Sequence, residues 1–183
     1  MEDIHKHTSQ ARCLAKTEYA RKNEGFYFLG EVPEDWDDEM SYNTQVRGGP
    51  KLDDILTGKT DELNPGNFLV KIEKSTRASW LSWISVGRAR NNDIILRHSS
   101  ISKLHAQIHT EENEATAEKS FFISDAGSAN GTSVNGKPLE KGESILLHLG
   151  DKITLGDIEC KFLDAQSLHE NLRRLSLISG ARF

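Results

Sequence analysis

The chain has 183 residues, of which 36% are hydrophobic, and its formal net charge at pH 7 is −5. This length allows one packed domain with additional segments and is short for two full-sized domains. The negative charge argues against nucleic acid as a partner, because that binding depends on a basic field. No stretch approaches the roughly 20 apolar residues of a membrane-spanning helix, so we expect no direct membrane insertion.

The N-terminus and the cysteines favour a cytoplasmic protein. Residues 1–10 are polar and lack the apolar core of a secretory signal. Cys13 and Cys160 lie far apart and no CxxC pair exists, so neither a disulfide framework nor a zinc ribbon is indicated. We therefore expect a reducing, cytoplasmic setting and no metal or other cofactor.

The first part of the chain differs from the rest in charge. Residues 1–65 contain 8 Lys and Arg against 14 Asp and Glu, with the densest acidic run at 31–39. Residues 8–22 are rich in helix formers and predict a short helix. The apolar run 25–29 indicates either a strand or a docking segment. We expect residues 1–65 to form an acidic N-terminal extension that is partly ordered or docks on the main domain.

From Phe68 onward, short alternating segments are separated by turn residues every 8–12 positions, which is typical of a β-sandwich or barrel. No long helical pattern interrupts them, and this disfavours a parallel α/β sheet. At the C-terminus, Leu168, Leu172 and Leu175 have helical spacing. We predict a sandwich over 66–164 and a C-terminal helix and tail over 165–183. Strands are expected at 68–73, 80–86, 93–96, 105–109, 120–124, 133–134, 144–147, 153–155 and 159–163.

Several short motifs follow one another within the strand-rich part. They are Gly87-Arg88, Asn92-Asp93, Ser102-Lys103-Leu104-His105, the run from Asp125 to Thr132, Val134-Asn135-Gly136 and Gly150-Asp151. This succession resembles the forkhead-associated (FHA) domain family, whose pattern is GR, SxxH, SxNGT, VNG and GD. The resemblance spans about Gly66 to Leu163. It implies an all-β sandwich of two antiparallel sheets that binds phosphothreonine peptides.

The resemblance also implies roles for individual residues. Arg88 and Ser102 match the phosphate-binding pair, Lys103 occupies a position that often adds a phosphate contact, and Asn130 matches the asparagine that bonds the peptide backbone. Ala129 departs from the Ser or Thr that many members carry. Selectivity beyond the phosphothreonine is typically read near Ser100 and the 126–129 loop. Structural motif positions are Gly87, Asn92, His105, Gly131, Asn135 and Gly136, and His105 would brace the loops without touching the ligand.

The residue types fit phosphate chemistry independently of the resemblance. A phosphothreonine brings about −1.5 to −2 charges and three acceptor oxygens. A guanidinium at a strand end, such as Arg88, and a hydroxyl in a short loop, such as Ser102, can donate to those oxygens. Loops at one edge of a rigid sandwich are a common place for such a site.

Other sites built from these residues are less well supported. Ser102, His105 and Asp125 could be imagined as a hydrolytic triad, but no G-x-S-x-G elbow surrounds Ser102. His105 and His109 are four apart, which on a strand separates them by roughly 13 Å, too far for a metal site. His5 and His7 are interpreted as solvated tail residues. Asn135-Gly136 is interpreted as a turn, Trp80 as core and Trp83 as surface.

These observations predict a non-enzymatic signalling adaptor that binds a phosphothreonine-containing protein downstream of a Ser/Thr kinase. One alternative is a scaffold of the same fold that binds proteins without phosphate. Another is a self-regulated module whose phosphorylated N-terminal arm occupies its own site, because that arm contains Thr8, Thr17, Thr44, Thr57 and Thr60. We expect a monomer in which the C-terminal leucines pack in the core. The alternative is that these leucines form an interface between copies of the chain.

Overall fold

The computed structural model describes residues 3–33, 67–75, 81–113 and 118–179. The described part contains two facing β-sheets, with helices on the outer side of one of them. The strands are β1 Phe26–Glu31, β2 Asn67–Lys71, β3 Ile84–Gly87, β4 Ile94–Ile95, β5 Ala106–Glu112, β6 Lys119–Asp125, β7 Thr132–Val134, β8 Lys137–Pro138, β9 Ser144–Leu146, β10 Lys152–Leu155 and β11 Ile158–Asp164. The helices are α1 Ile4–Cys13, α2 Lys16–Lys22 and α3 Ala165–Ser179.

The sandwich predicted from the sequence is confirmed. One sheet has six strands in the order β2-β1-β11-β10-β7-β8, and the other has five in the order β4-β3-β5-β6-β9. The five-stranded sheet departs from a purely antiparallel arrangement, because β4 pairs with β3 in parallel. The Asp93 carboxylate accepts hydrogen bonds from the backbone N–H and hydroxyl of Ser85. This contact draws the chain back beside β3, so that β4 advances in the same direction.

The sandwich begins earlier than predicted, at Phe26 rather than at residue 66. Strand β1 lies between β2 and β11, where Phe28 pairs with Val70 on one side and with Phe162 on the other. Its residues are buried on both faces of the sheet, so they form a continuous apolar run instead of the alternating pattern of a half-exposed strand. Residues 26–31 are therefore part of the domain and not of an extension.

The core between the sheets is aromatic at one end of the sandwich. Phe26 stacks on Phe162 with ring centroids 5.5 Å apart, and Phe121 contacts both rings. Trp83, expected on the surface, is half-buried, and its ring lies 5.8 Å from that of His109. The interpretations of Trp80 and of the acidic run beyond residue 33 lie outside the described residues.

A second apolar cluster lies on the outer face of the six-stranded sheet. Tyr27, Leu29, Leu69 and Leu163 project from the strands and pack against the three helices. In α3, Leu168 and Leu172 are fully buried, so the predicted C-terminal helix is confirmed and these two leucines of its stripe pack in the core. None of the helices in the described part is long and apolar enough to cross a membrane.

The N-terminal helical region is more ordered than the sequence indicated. Two helices replace the single one predicted over residues 8–22, because the chain is extended at Leu14 and Ala15. The Asp3 carboxylate caps α1 by accepting from two backbone N–H groups of the first turn. His7, interpreted above as a tail residue, is buried, and its Nδ1 lies 2.7 Å from the Tyr19 hydroxyl.

Candidate functional site

Three loops meet at one end of the five-stranded sheet, and we call this end the rim. Arg88 follows β3, Ser102 precedes β5, and Asn130 follows β6. Since β3, β5 and β6 are antiparallel neighbours, these three positions emerge on the same side of the sandwich. The structure therefore brings together the residues that the sequence assigned to phosphate and peptide binding.

The loop that contains Arg88 is tied directly to the loop that contains Ser102. The backbone N–H of Arg88 donates to the Ser102 carbonyl at 3.0 Å, and that of Ala89 donates to the Lys103 carbonyl at 3.2 Å. The buried Asn92 amide also donates to the Lys103 carbonyl, at 2.7 Å. A Cβ at Gly87 would overlap that same carbonyl oxygen, so the approach of the two loops requires glycine there.

The side chain of His105 connects the Ser102 loop to the loop after β6. Its Nδ1 accepts from the Ser102 backbone N–H at 3.1 Å, and its Nε2 lies 3.0 Å from the Gly131 carbonyl, to which it donates. Burial lowers the pKa of His105, and the Gly131 carbonyl and the Asp125 carboxylate offset this only in part. The imidazole is therefore neutral at pH 7, which is the state that both hydrogen bonds require.

The same contacts show that Ser102, His105 and Asp125 do not form a hydrolytic triad. Both ring nitrogens of His105 are engaged with backbone groups, so neither can accept a proton from a serine hydroxyl. The Ser102 Oγ instead accepts from the Ala129 backbone N–H at 3.0 Å. This bond fixes the oxygen and leaves the hydroxyl hydrogen of Ser102 without a partner among the described residues.

Asn130 is positioned by Ser100. The Asn130 Nδ2 donates to the Ser100 carbonyl at 2.9 Å, which leaves the amide oxygen Oδ1 at the exposed surface. Ser100 is 7% exposed; its Oγ accepts from the Asp157 backbone N–H and lies 2.7 Å from His98 Nδ1. Ser100 therefore supports Asn130 from below. The sequence analysis had placed Ser100 among the peptide-contacting residues, but its side chain is buried and hydrogen-bonded within the protein.

Asp125 organises the 126–131 loop, a role that the sequence analysis missed. Its carboxylate accepts from the backbone N–H groups of Gly127 and Ser128 and from the hydroxyls of Ser128 and Thr132, all at 2.7–2.8 Å. Burial raises the pKa of Asp125, but these hydrogen bonds outweigh it and the net shift is downward. An Asp with Gly two residues later and Ser three residues later, as in the run 125–128, is the sequence signal of such an Asx turn.

The two Asn-Gly motifs lie at opposite ends of the sandwich. Gly131 has a φ of 78°, so the turn beside Asn130 needs a residue that tolerates the left-handed region. Asn135 and Gly136 have φ values of 52° and 80° and form the two-residue turn between β7 and β8. Because β7 runs away from the rim, Asn135 and Gly136 lie at the opposite end and serve as a turn.

A buried carboxylate, that of Asp93, links the start of β4 to β3. Asp93 accepts from the backbone and hydroxyl groups of Ser75 and Ser85 and pairs with Lys74 at 2.8 Å. Burial by itself raises the pKa of Asp93, but the hydrogen bonds from Lys74, Ser85 and Ser75 lower it to about 2. No sequence signal beyond the Asn92-Asp93 pair pointed to this network.

Comparison with known proteins agrees with the fold and the motifs. The sequence profile of the FHA domain matches residues 84–156. The chain is 32% identical over 106 residues to the glycogen accumulation regulator GarA of Mycobacterium tuberculosis, covering 55% of this chain and 60% of GarA. It is 31% identical over 108 residues to the oxoglutarate dehydrogenase inhibitor of Corynebacterium efficiens, covering 56% of this chain and 70% of that protein.

Among solved structures, one similar chain is the MEK1 FHA domain in complex with the HOP1 pThr318 peptide. It has 26% sequence identity and a TM-score of 0.44, and the match covers 53% of this chain and 88% of that one. The chain spans about 60% of the length of GarA of Mycobacterium tuberculosis and of the protein Mb1858 of Mycobacterium bovis. The profile match, and the 31% identity to the Corynebacterium protein of which this chain covers 70%, show that the chain belongs to the FHA domain family.

Proposed function

We propose that this chain is a signalling adaptor that binds phosphothreonine segments at the rim. The observation that carries the proposal is the convergence of Arg88, Ser102 and Asn130 from three loops that are hydrogen-bonded to one another. Rigid loops hold donors in place before the ligand arrives, so less conformational entropy is lost on binding. FHA membership supports the same function, and the MEK1 domain was solved with a phosphothreonine peptide.

The cations of the rim are free to accept a phosphate. Arg88 and Lys103 are exposed, and neither makes an ion pair within the described residues. A guanidinium donates in a planar fork that matches two phosphate oxygens, while an ammonium acts as a point charge. We assign Arg88 to the bidentate contact and Lys103 to a further phosphate contact.

The two neutral side chains would complete the binding of the ligand. Ser102 would donate its hydroxyl hydrogen to a phosphate oxygen, because its Oγ is already held by the Ala129 N–H. Asn130 would accept a peptide N–H at Oδ1, because its Nδ2 is held by Ser100. Ala129 would contribute through its backbone N–H, which holds the Ser102 Oγ, and would not add a side-chain donor to the ligand.

The adaptor would act without catalysis, on a partner that an upstream Ser/Thr kinase has modified. Binding would be reversible and lost on dephosphorylation, with a Kd near micromolar, equivalent to about −8 kcal/mol. We propose a cytoplasmic monomer for which nucleic acid is not a ligand.

Titration of fluorescent phosphothreonine peptides tests this function, with unphosphorylated and phosphoserine peptides as ligand controls. Arg88→Ala should weaken binding about 100-fold, because it removes a bidentate charge-assisted contact. Arg21→Ala is the matched control, since Arg21 is an exposed cation on α2, outside the rim. Equal binding of phosphorylated and unphosphorylated peptides, or full binding by Arg88→Ala, would contradict the proposal and favour the phosphate-independent scaffold.

A second candidate is the self-regulated module, which one topological observation favours. Glu31 pairs with Asn67, and Gly30 pairs with Cys160. The chain therefore leaves β1 and enters β2 near the β10–β11 turn, which contacts Ser100 at the rim. Thr8 does not suit this role, because it is 3% exposed and its hydroxyl donates to the Ile4 carbonyl. Thr44, Thr57 and Thr60 lie outside the described residues, and Ala substitution of each after kinase treatment, read out as recovered peptide binding, tests them.

A further inference from the structure

The three helices carry a basic surface on a chain that is acidic as a whole. Helices α1, α2 and α3 contain seven Lys and Arg against two Asp and Glu, whereas the formal net charge of the chain is −5. All seven of these basic residues are exposed: Lys6, Arg12, Lys16, Arg21, Lys22, Arg173 and Arg174. Because α1 and α2 both pack against α3, we call the outward side of the three helices the basic face.

The two acids of the helices are already paired. Glu170 lies 2.6 Å from the Lys16 ammonium, and Glu18 lies 3.2 Å from that of Lys22. Lys16 holds the pKa of the Glu170 carboxyl below its ordinary value, so this carboxylate stays ionised at pH 7. Four cations of the basic face then form no ion pair among the described residues: Lys6, Arg12, Arg21 and Arg174.

The helix dipoles account for only part of this charge. A cation in the last turn of a helix is stabilised by the dipole, and this applies to Arg12 in α1 and to Arg21 and Lys22 in α2. Lys6 lies in the first turn of α1, where the dipole disfavours a cation. Helix α3 has no basic residue in its last turn, so the dipole does not explain Arg174 either. The excess of cations is therefore larger than helix stability requires.

The side chains of the basic face discriminate between classes of anionic partner. The exposed large apolar side chains of the described residues are Leu104, Leu146 and Leu149, and none of them lies on a helix. Helices that bind a membrane surface bury apolar side chains in it, and proteins that bind single-stranded nucleic acid stack bases on aromatic rings. The net charge of −5 disfavours a nucleic acid duplex. An acidic polypeptide needs only the cations, so it is the partner that the basic face fits.

The basic face and the rim lie on different parts of the molecule. The rim is formed by loops of the five-stranded sheet, whereas the helices cover the outer side of the six-stranded sheet. Within the described ranges, no helix residue takes part in the hydrogen bonds that position Arg88, Ser102 and Asn130. Both surfaces can therefore be occupied at the same time, as an adaptor that joins two proteins requires.

We propose that the basic face binds an acidic segment of a second protein while the rim holds a phosphothreonine segment. The longest helix, α3, has 15 residues and is therefore about 22 Å long. An extended segment advances about 3.3 Å per residue, so about seven residues cover this length. The ligand is a short run rich in Asp and Glu, and it needs no phosphate group. Binding at the basic face is independent of the rim and extends the proposed adaptor function.

Fluorescence anisotropy with the full-length chain tests the basic face. The probe is a labelled peptide in which Glu alternates with Ala or Gly, and the same peptide with Gln in place of Glu is the ligand control. The Glu peptide should bind at low salt and the Gln peptide should not. Added salt should weaken the binding, because exposed charges are screened.

Two pairs of substitutions assign the binding to the helices. Arg21→Gln together with Arg174→Gln should weaken the Kd of the Glu peptide roughly fivefold, since each exposed ion pair contributes modestly. Lys119→Gln together with Lys141→Gln is the matched control, because it removes the same charge from exposed residues outside the helices and the rim. This control, Arg88→Ala and saturation with a phosphothreonine peptide should each leave that Kd unchanged.

Three results would overturn the proposal through the site or the class of partner. The first is equal weakening by the two pairs of substitutions, which would make the binding a general effect of charge. The second is loss of Glu-peptide binding in Arg88→Ala, which would place the acidic peptide at the rim. The third is tighter binding to phosphatidylserine vesicles or to duplex DNA than to the Glu peptide.

The alternative occupant is the acidic run of this chain at 34–39, which lies outside the described residues. One variant neutralises the run with amides: Glu34→Gln, Asp35→Asn, Asp37→Asn, Asp38→Asn and Glu39→Gln. If this variant binds the Glu peptide and wild type does not, the chain covers its own basic face and the proposal fails. Absence of binding in both also overturns it. If the Glu peptide binds as expected but phosphorylation makes no difference at the rim, the proposed function fails and the basic face stands.

Discussion

The rim and the helix-covered face of the six-stranded sheet are held together by different forces. At the rim, the loops are fixed by hydrogen bonds from His105, Asp125 and Asn92 to backbone groups. On the helix-covered face, apolar side chains such as Leu168 and Leu172 are fully buried between the helices and the sheet. Changes at the two regions should therefore separate ligand binding from stability.

The largest effect is expected from Leu168→Ala on the helix-covered face. Leu168 is fully buried between α3 and the sheet, so its truncation should lower the free energy of unfolding by about 3 kcal/mol. Peptide affinity should be unchanged at a temperature where the variant is folded. Urea denaturation and peptide titration measure the two quantities. Gln166→Ala, exposed on the same helix, is the control, and a weakened affinity in Leu168→Ala would show that the two regions are coupled.

His105→Ala should affect stability and binding together. It leaves the Ser102 N–H and the Gly131 carbonyl without partners, which should lower the free energy of unfolding by about 2 kcal/mol. Affinity should fall about tenfold, because Ser102 and Asn130 lose their support. In wild type the neutral imidazole stabilises the fold fully above pH 6.5, and this contribution is lost as the pH falls below that value. An affinity equal to that of wild type would show that the His105 hydrogen bonds are not needed for peptide binding.

The Asp93 carboxylate makes a smaller contribution to the free energy of unfolding, and this contribution is lost over a lower pH range than that of His105. Its pKa is about 2 in the folded chain against an ordinary value of 3.8, so the carboxylate stabilises the fold above pH 4. This contribution, about 2 kcal/mol, is lost as the pH falls from 4 toward 2. Thermal unfolding across that range should show the loss in wild type and a flatter profile in Asp93→Asn. Identical slopes for the two proteins would rule out this network as the cause.

The smallest effect is expected from Ala129→Thr at the rim. Ala129 is exposed, and its N–H already holds Ser102, so an added hydroxyl could donate to the ligand without disturbing the loop. Affinity for a phosphothreonine peptide should rise about threefold, which corresponds to one additional exposed hydrogen bond. The free energy of unfolding should not change. A loss of affinity would mean that the β-branched side chain displaces Ser102.

The sequence predicted the sandwich because alternating strands and turn residues are local signals. It also predicted which residues meet at the rim, because GR, SxxH and SxNGT follow one another in order in this chain. Several features were missed or misplaced, among them the position of strand β1 inside the sheet, the parallel β3–β4 pair and the burial of Ser100. Each depends on contacts between residues far apart in the chain, such as Phe28 with Phe162 or Ser100 with Asp157.

The sequence by itself determined the family, the fold class and the identity of the candidate ligand-binding residues. Only the tertiary structure decided how those residues are supported: His105 bonds the Ser102 N–H and the Gly131 carbonyl, and the Ser100 carbonyl accepts from Asn130. The physical reason is that charge and residue type can be read from the chain, whereas burial and neighbourhood arise when separate strands pair. The rim, with its three loops side by side, exists only in the assembled sheets.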